Sequence, residues 1–131
     1  MKVLIVEDNQ AVRRMMKSLI ADLADEIREC ADGAEALSAY SESQPDVVLM
    51  DIRMQQVDGL TATRIIKARH HDARIIIVTN HDQPELRDAA HDAGAAGYVL
   101  KENLMTLRQL LAECRSAETE KLNQSPTESS N

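Results

Sequence analysis

Short apolar runs alternate along the chain with longer stretches in which apolar residues return at helical spacing. The first run, Val3-Leu4-Ile5-Val6, is uninterrupted and rich in β-branching, the pattern of a strand covered on both faces. Beyond it Val12, Met15, Met16, Leu19, Ile20 and Leu23 fall on one helical face, with Asn9 placed as an N-cap. The pattern repeats with a strand from Ile27 to Ala31 and a helix over about Ala34 to Ser41, then Val47-Val48-Leu49-Met50 and a helix over about Gly59 to Arg69. Next come the run Arg74 to Val78 and a weakly apolar helix from about Pro84 to Ala93. After a Gly94-Ala95-Ala96-Gly97 break, the strand Tyr98-Val99-Leu100 leads into a helix carrying Leu104, Leu107, Leu110, Leu111 and Cys114.

Strand and helix thus alternate through five βα units, which predicts an α/β fold: an open parallel sheet with helices on both faces and right-handed crossovers. The length of 131 residues suits one domain, placed over residues 1–116. Residues 117–131 are polar and close on Ser-Pro-Thr-Glu-Ser-Ser-Asn, which predicts a disordered tail or linker. With neither Trp nor Phe, the core must be aliphatic. A net charge of −7 argues against a phosphate-tracking surface, so direct nucleic-acid binding by this domain is not expected. Cys30 and Cys114 have no C-x-x-C partner and read as reduced, buried thiols. No run approaches the ~20 apolar residues of a membrane span, and the start turns acidic too soon for a signal peptide, so no membrane association and a cytoplasmic location are expected.

The reactive side chains fall in a pattern of their own. Glu7 and Asp8 follow the first strand, Asp51 the third, Thr79 the fourth and Lys101 the fifth. In an open α/β sheet this edge is where ligands bind, at the crevice where strand order reverses, so these groups are expected to converge. Taken singly, each has an ordinary explanation: carboxylates at strand-to-helix turns cap helices, and Thr at a strand end bonds locally. Together they describe a site. Converging carboxylates repel by roughly 4 kcal/mol per pair at 4 Å in an effective dielectric near 20, and therefore call for a cation. Oxygen-only donors suit Mg²⁺ with phosphate oxygens, a carboxylate can act as nucleophile toward phosphorus, and Lys101 can supply an ammonium.

Through V-L-I-V-E-D, D-V-V-L-M-D-I-R-M, V-D-G, I-I-I-V-T and G-Y-V-L-K, spread over about Lys2 to Cys114, the sequence resembles the response-regulator receiver family of two-component signalling. The resemblance implies a flavodoxin-like sheet of order 2-1-3-4-5. It implies that Asp51 accepts a phosphoryl group from a sensor histidine kinase or phosphotransfer protein. Asp8 would bind Mg²⁺ directly, Glu7 through water, and Arg53 through its backbone carbonyl. Lys101 would pair with the phosphoryl group, while Thr79 and Tyr98 would form the switch that alters a surface read by a downstream protein. The helix from Pro84 to Ala93 is the expected output face, and dimerisation through the fourth and fifth helices is common among such proteins.

Some positions depart from the family pattern. Gln55 and Glu102 stand where many members carry proline, and a trans bond is expected after Lys101, since a cis bond before a non-proline residue costs roughly 3 kcal/mol. Asn80 follows Thr79, and Arg53 and His81 occupy the positions that modulate phosphate lifetime in the family. His70, His71, His81 and His91 show no zinc-ligand spacing. The expected role is a phosphorylation switch rather than a turnover enzyme, either standing alone or as the receiver portion of a DNA-binding transcriptional regulator. An aspartyl-phosphate hydrolase is disfavoured because the first strand lacks an Asp-x-Asp pair, and no Gly-rich nucleotide loop follows any strand.

Overall fold

The computed structural model describes residues 1–54 and 56–128, with side chains described as far as residue 116. Five strands alternate with five helices: β1 (Lys2–Val6), α1 (Gln10–Ile20), β2 (Glu26–Cys30), α2 (Gly33–Ser43), β3 (Val47–Met50), α3 (Gly59–Arg69), β4 (Ile75–Thr79), α4 (Pro84–Ala93), β5 (Gly97–Leu100) and α5 (Leu104–Glu128). The sheet is wholly parallel in the order β2-β1-β3-β4-β5, as expected. The backbone of residues 117–128, part of the segment expected to be a tail, continues α5; no side chain of residues 117–131 is described, and Gln55 and residues 129–131 lie outside the described residues.

Period-two alternation within the apolar runs divides the core into two layers. Leu4, Val6, Val48, Met50, Ile75 and Ile77 point to one face, where they meet Ala36, Ala39 and Tyr40 of α2, Leu60 and Ile66 of α3, and Ala90 of α4. Val3, Ile5, Val47, Leu49, Ile76 and Val78 point to the other, against Met16 and Ile20 of α1 and Leu107 and Leu111 of α5. Met15 departs from the expected stripe and is 45% exposed. At about 100° per residue it lies on the margin of the arc defined by Val12, Met16, Leu19 and Ile20, while Leu23, expected on the same stripe, follows the end of the helix in a turn.

Side-chain caps place the helices. Asn9 accepts from the Val12 N–H at 3.0 Å, Asp32 from Ala34 at 2.5 Å and Asp58 from Thr61 at 2.9 Å. Pro84 opens α4 at a position where its missing N–H costs nothing, and Gly94 ends it at φ 102°. The first half of α5 is tied to the end of α1 by Arg108, whose two terminal nitrogens meet the Asp22 carboxylate at 2.9 and 3.0 Å while one also donates to the Leu19 carbonyl.

Candidate functional site

Each chemistry-bearing residue sits where its strand gives way to a loop, and sheet hydrogen bonds extend to that edge. The Glu7 N–H donates to the Cys30 carbonyl at 3.0 Å, Asp51 to Val6 at 3.0 Å, and Lys101 to Thr79 at 2.8 Å. Because β1 lies beside β3, the acidic pair and Asp51 become neighbours. One carboxylate oxygen from each of Glu7, Asp8 and Asp51 lies within 4.8 Å of the others, and among the described residues this is the one group of three with metal-ligand potential.

Lys101 completes the cluster. Its Nζ donates to Glu7 Oε1 at 2.5 Å and stands 3.5 Å from Asp51 Oδ1, which also accepts the Ile52 N–H at 2.9 Å. Glu7 is 1% exposed and Asp51 7%, whereas Asp8 is exposed. Burial pushes the Glu7 carboxyl above its ordinary range and Lys101 pulls it back, with Asp51 adding to the rise. Asp8 is also raised, by desolvation and then by its hydrogen bond and repulsion with Glu7. Three carboxylates facing one ammonium leave negative potential at this edge. All the donors are hard oxygens, which fits a magnesium-class cation.

Two glycines make the geometry possible. A Cβ at Gly59 would lie 1.9 Å from the Asp51 carbonyl oxygen, and the Gly59 N–H donates to the Ile52 carbonyl at 2.7 Å, so α3 starts directly against the backbone of Asp51. A Cβ at Gly33 would lie 2.3 Å from the Val57 carbonyl oxygen, so only glycine lets α2 and the loop before α3 approach so closely.

Thr79 is fully buried, and its hydroxyl accepts the His81 N–H at 3.3 Å. Tyr98 is half-buried, and its hydroxyl donates to the His81 carbonyl at 2.5 Å. One residue's backbone therefore joins the two expected switch side chains, a link invisible in the sequence because it is made by main-chain atoms. Arg53 sits exposed in the loop after Asp51. Among the described residues the side chains of Arg53 and His81 form no hydrogen bond or ion pair.

The chain matches the family model of the response regulator receiver domain over residues 3–114. It belongs to that family. It is 32% identical over 115 residues to the response regulator MprA of Mycobacterium sp. (strain KMS), an alignment covering 88% of this chain and 49% of that protein. With the chemotaxis protein CheY of Halobacterium salinarum it shares 37% identity over 100 residues, covering 76% of this chain and 83% of that protein. The crystal structure of a DNA-binding response regulator of the LuxR family from Staphylococcus aureus is similar with a TM-score of 0.79 at 29% identity, covering 87% of this chain and 98% of that one. The receiver spans about half the length of the MprA proteins it matches.

Within this receiver the bond after Lys101 is trans, as expected: the described residues contain no cis peptide. Both cysteines are free. Cys30 is buried, and burial followed by the nearby Glu35 pushes its thiol up to about 11. Cys114 was expected to be buried but is half-buried, because it borders a shallow cavity with Ile76, Ala96 and Leu110 at the margin of α5's apolar stripe. None of the described helices is long and apolar enough to cross a membrane.

Proposed function

We propose that this receiver is a cytoplasmic phosphorylation switch that takes a phosphoryl group on Asp51 from a sensor histidine kinase or phosphotransfer protein. The observation that carries the reading is the placement of Lys101 between Glu7 and Asp51 beside three converged carboxylates. Glu7, Asp8, Asp51 and the Arg53 carbonyl would hold Mg²⁺, which supplies positive charge against the transferring group. An oxygen of the Asp51 carboxylate attacks phosphorus, the bond to the donor breaks, and the donor keeps the electron pair. Lys101 then exchanges its carboxylate contacts for a phosphoryl oxygen. Thr79 turns its hydroxyl from the His81 N–H toward the new acceptors, and Tyr98 follows. The altered surface around α4 is what a downstream protein reads. The chain catalyses its own phosphotransfer and autodephosphorylation and turns over no other substrate.

The test is intact-protein mass after incubation with acetyl phosphate, with and without Mg²⁺, followed over time after the donor is removed. A phosphoryl adduct that needs both Mg²⁺ and Asp51, and is absent from Asp51→Asn, is expected; no adduct on the folded protein rejects the reading. In the same series Arg53→Ala and His81→Ala should change the adduct's half-life, and unchanged decay would remove both residues from the lifetime role. A second reading is supported by the half-length match to MprA and by the Staphylococcus relative's description as DNA-binding: the receiver is one portion of a transcriptional regulator. A reading frame that continues past Asn131 into a DNA-binding domain supports it, and a stop codon there excludes it.

A further inference from the structure

Tyr98 lies on β5, the last strand of the sheet, so no further strand covers its ring. The cover comes from α4. The Arg87 guanidinium carbon sits 4.7 Å from the centre of the Tyr98 ring, within the range of a cation–π contact. Asp82, in the loop before α4, fixes that guanidinium by accepting from its Nε at 2.7 Å and meeting its Nη2 at 2.5 Å.

These contacts close on themselves. Asp82 follows His81 in the chain, and the His81 carbonyl receives the Tyr98 hydroxyl. The circuit therefore runs from His81 through Asp82, Arg87 and Tyr98 and back to His81, with the Thr79 hydroxyl attached at the His81 N–H. Tyr98 cannot leave its inward position without breaking the circuit at its hydroxyl and uncovering its ring. An exposed Asp–Arg pair by itself contributes little, and an arginine in the opening turns of a helix faces the unfavourable end of the dipole. A placement that is electrostatically poor for α4 alone makes sense if Arg87 serves the ring beneath it.

We propose that Arg87 is a positioning residue for the switch: keyed by Asp82 and docked over Tyr98, it holds Tyr98 inward and thereby sets where the Thr79 hydroxyl rests before a phosphoryl group arrives. The consequence for phosphorylation rests on the function proposed above, while the latch itself is a property of the unphosphorylated protein.

The composition supplies a reporter. The chain has no Trp and two Tyr, so Tyr40→Phe leaves Tyr98 as the only strong fluorophore. In that background, acrylamide quenching of Tyr98 emission should roughly double on Arg87→Ala, because the inward state loses its cover and the population moves outward. Asp82→Asn should move the same way, and Arg87→Lys, which keeps the charge but loses the planar fork, should fall between parent and alanine variant. Mg²⁺ with acetyl phosphate should change the quenching of the parent, because Tyr98 follows Thr79 when the latter leaves the His81 N–H, and Asp51→Asn should abolish that change. Quenching unchanged by Arg87→Ala overturns the proposal. If that variant fails to fold, an unchanged Asp82→Asn, which leaves the apolar contacts in place, overturns it equally. If the parent takes no phosphoryl adduct while the quenching difference persists, the functional reading fails and the latch stands.

Discussion

At the scale of single residues, the site depends as much on a missing side chain as on those present. Gly59 lies against the carbonyl of Asp51, and the 1.9 Å separation that a Cβ would meet cannot be relieved by rotating a side chain, because the obstacle is backbone. Gly59→Ala must displace either the start of α3 or the acceptor's own main chain. The expected cost is roughly 3 kcal/mol, as for a severe overpacking change, read by urea unfolding, together with slower phosphoryl uptake by mass. A variant with unaltered stability and uptake would show that the loop yields freely. The carboxylates, Thr79 and Lys101 were legible in the sequence because each follows a recognisable apolar run. Gly59 was visible only as part of V-D-G, without its reason, since a close backbone approach leaves no hydropathy signal. The link through His81 was hidden for a related cause: its working atoms are the same in every residue except proline.

At the scale of elements, hydropathy periodicity located all ten, and the bounds of α3 and α4 agree with the expected ones. Those two helices carry unambiguous punctuation: Asp58 and Gly59 at the start of one, Pro84 and Gly94 around the other. The helix α2 runs further than its apolar residues indicate, through Ser43, because it ends on Gln44 rather than on a glycine. Gln44 holds φ 47°, the one positive φ among described non-glycine residues, with its N–H donating to the Tyr40 carbonyl at 2.8 Å. A left-handed residue with a Cβ costs about 1 kcal/mol or somewhat more, and the exposed Gln44 side chain gives little in return. Gln44→Gly is therefore expected to stabilise the fold by roughly 0.5–1 kcal/mol after the added entropy of the unfolded chain is deducted. Denaturant midpoints of the two proteins decide it, and a lower midpoint for the glycine variant would mean that the Gln44 side chain holds something the left-handed cap does not reveal.

At the scale of the whole molecule, the same sheet that buries two aliphatic layers also gathers like charges at one edge. The protein as a whole carries a net charge of −7, and within it Glu7, Asp8 and Asp51 are held within 4.8 Å of one another with Lys101 beside them. Folding is therefore opposed locally by repulsion that the unfolded chain does not feel, and two changes should relieve it. Replacing Asp51 by Asn removes one charge, so in a chelator the variant should melt above wild type. A divalent cation that binds the folded site and not the unfolded chain should stabilise wild type by about 1.4 kcal/mol at ten times its dissociation constant, which corresponds to roughly 5 °C in Tm for a domain of this size. The two effects must compete: Asp51→Asn starts higher and responds less, because it has already lost the charge that the cation would neutralise. Thermal melts of both proteins across a Mg²⁺ series measure this directly. Parallel responses would place the cation elsewhere, and a flat wild-type response would mean that Lys101 alone balances the cluster.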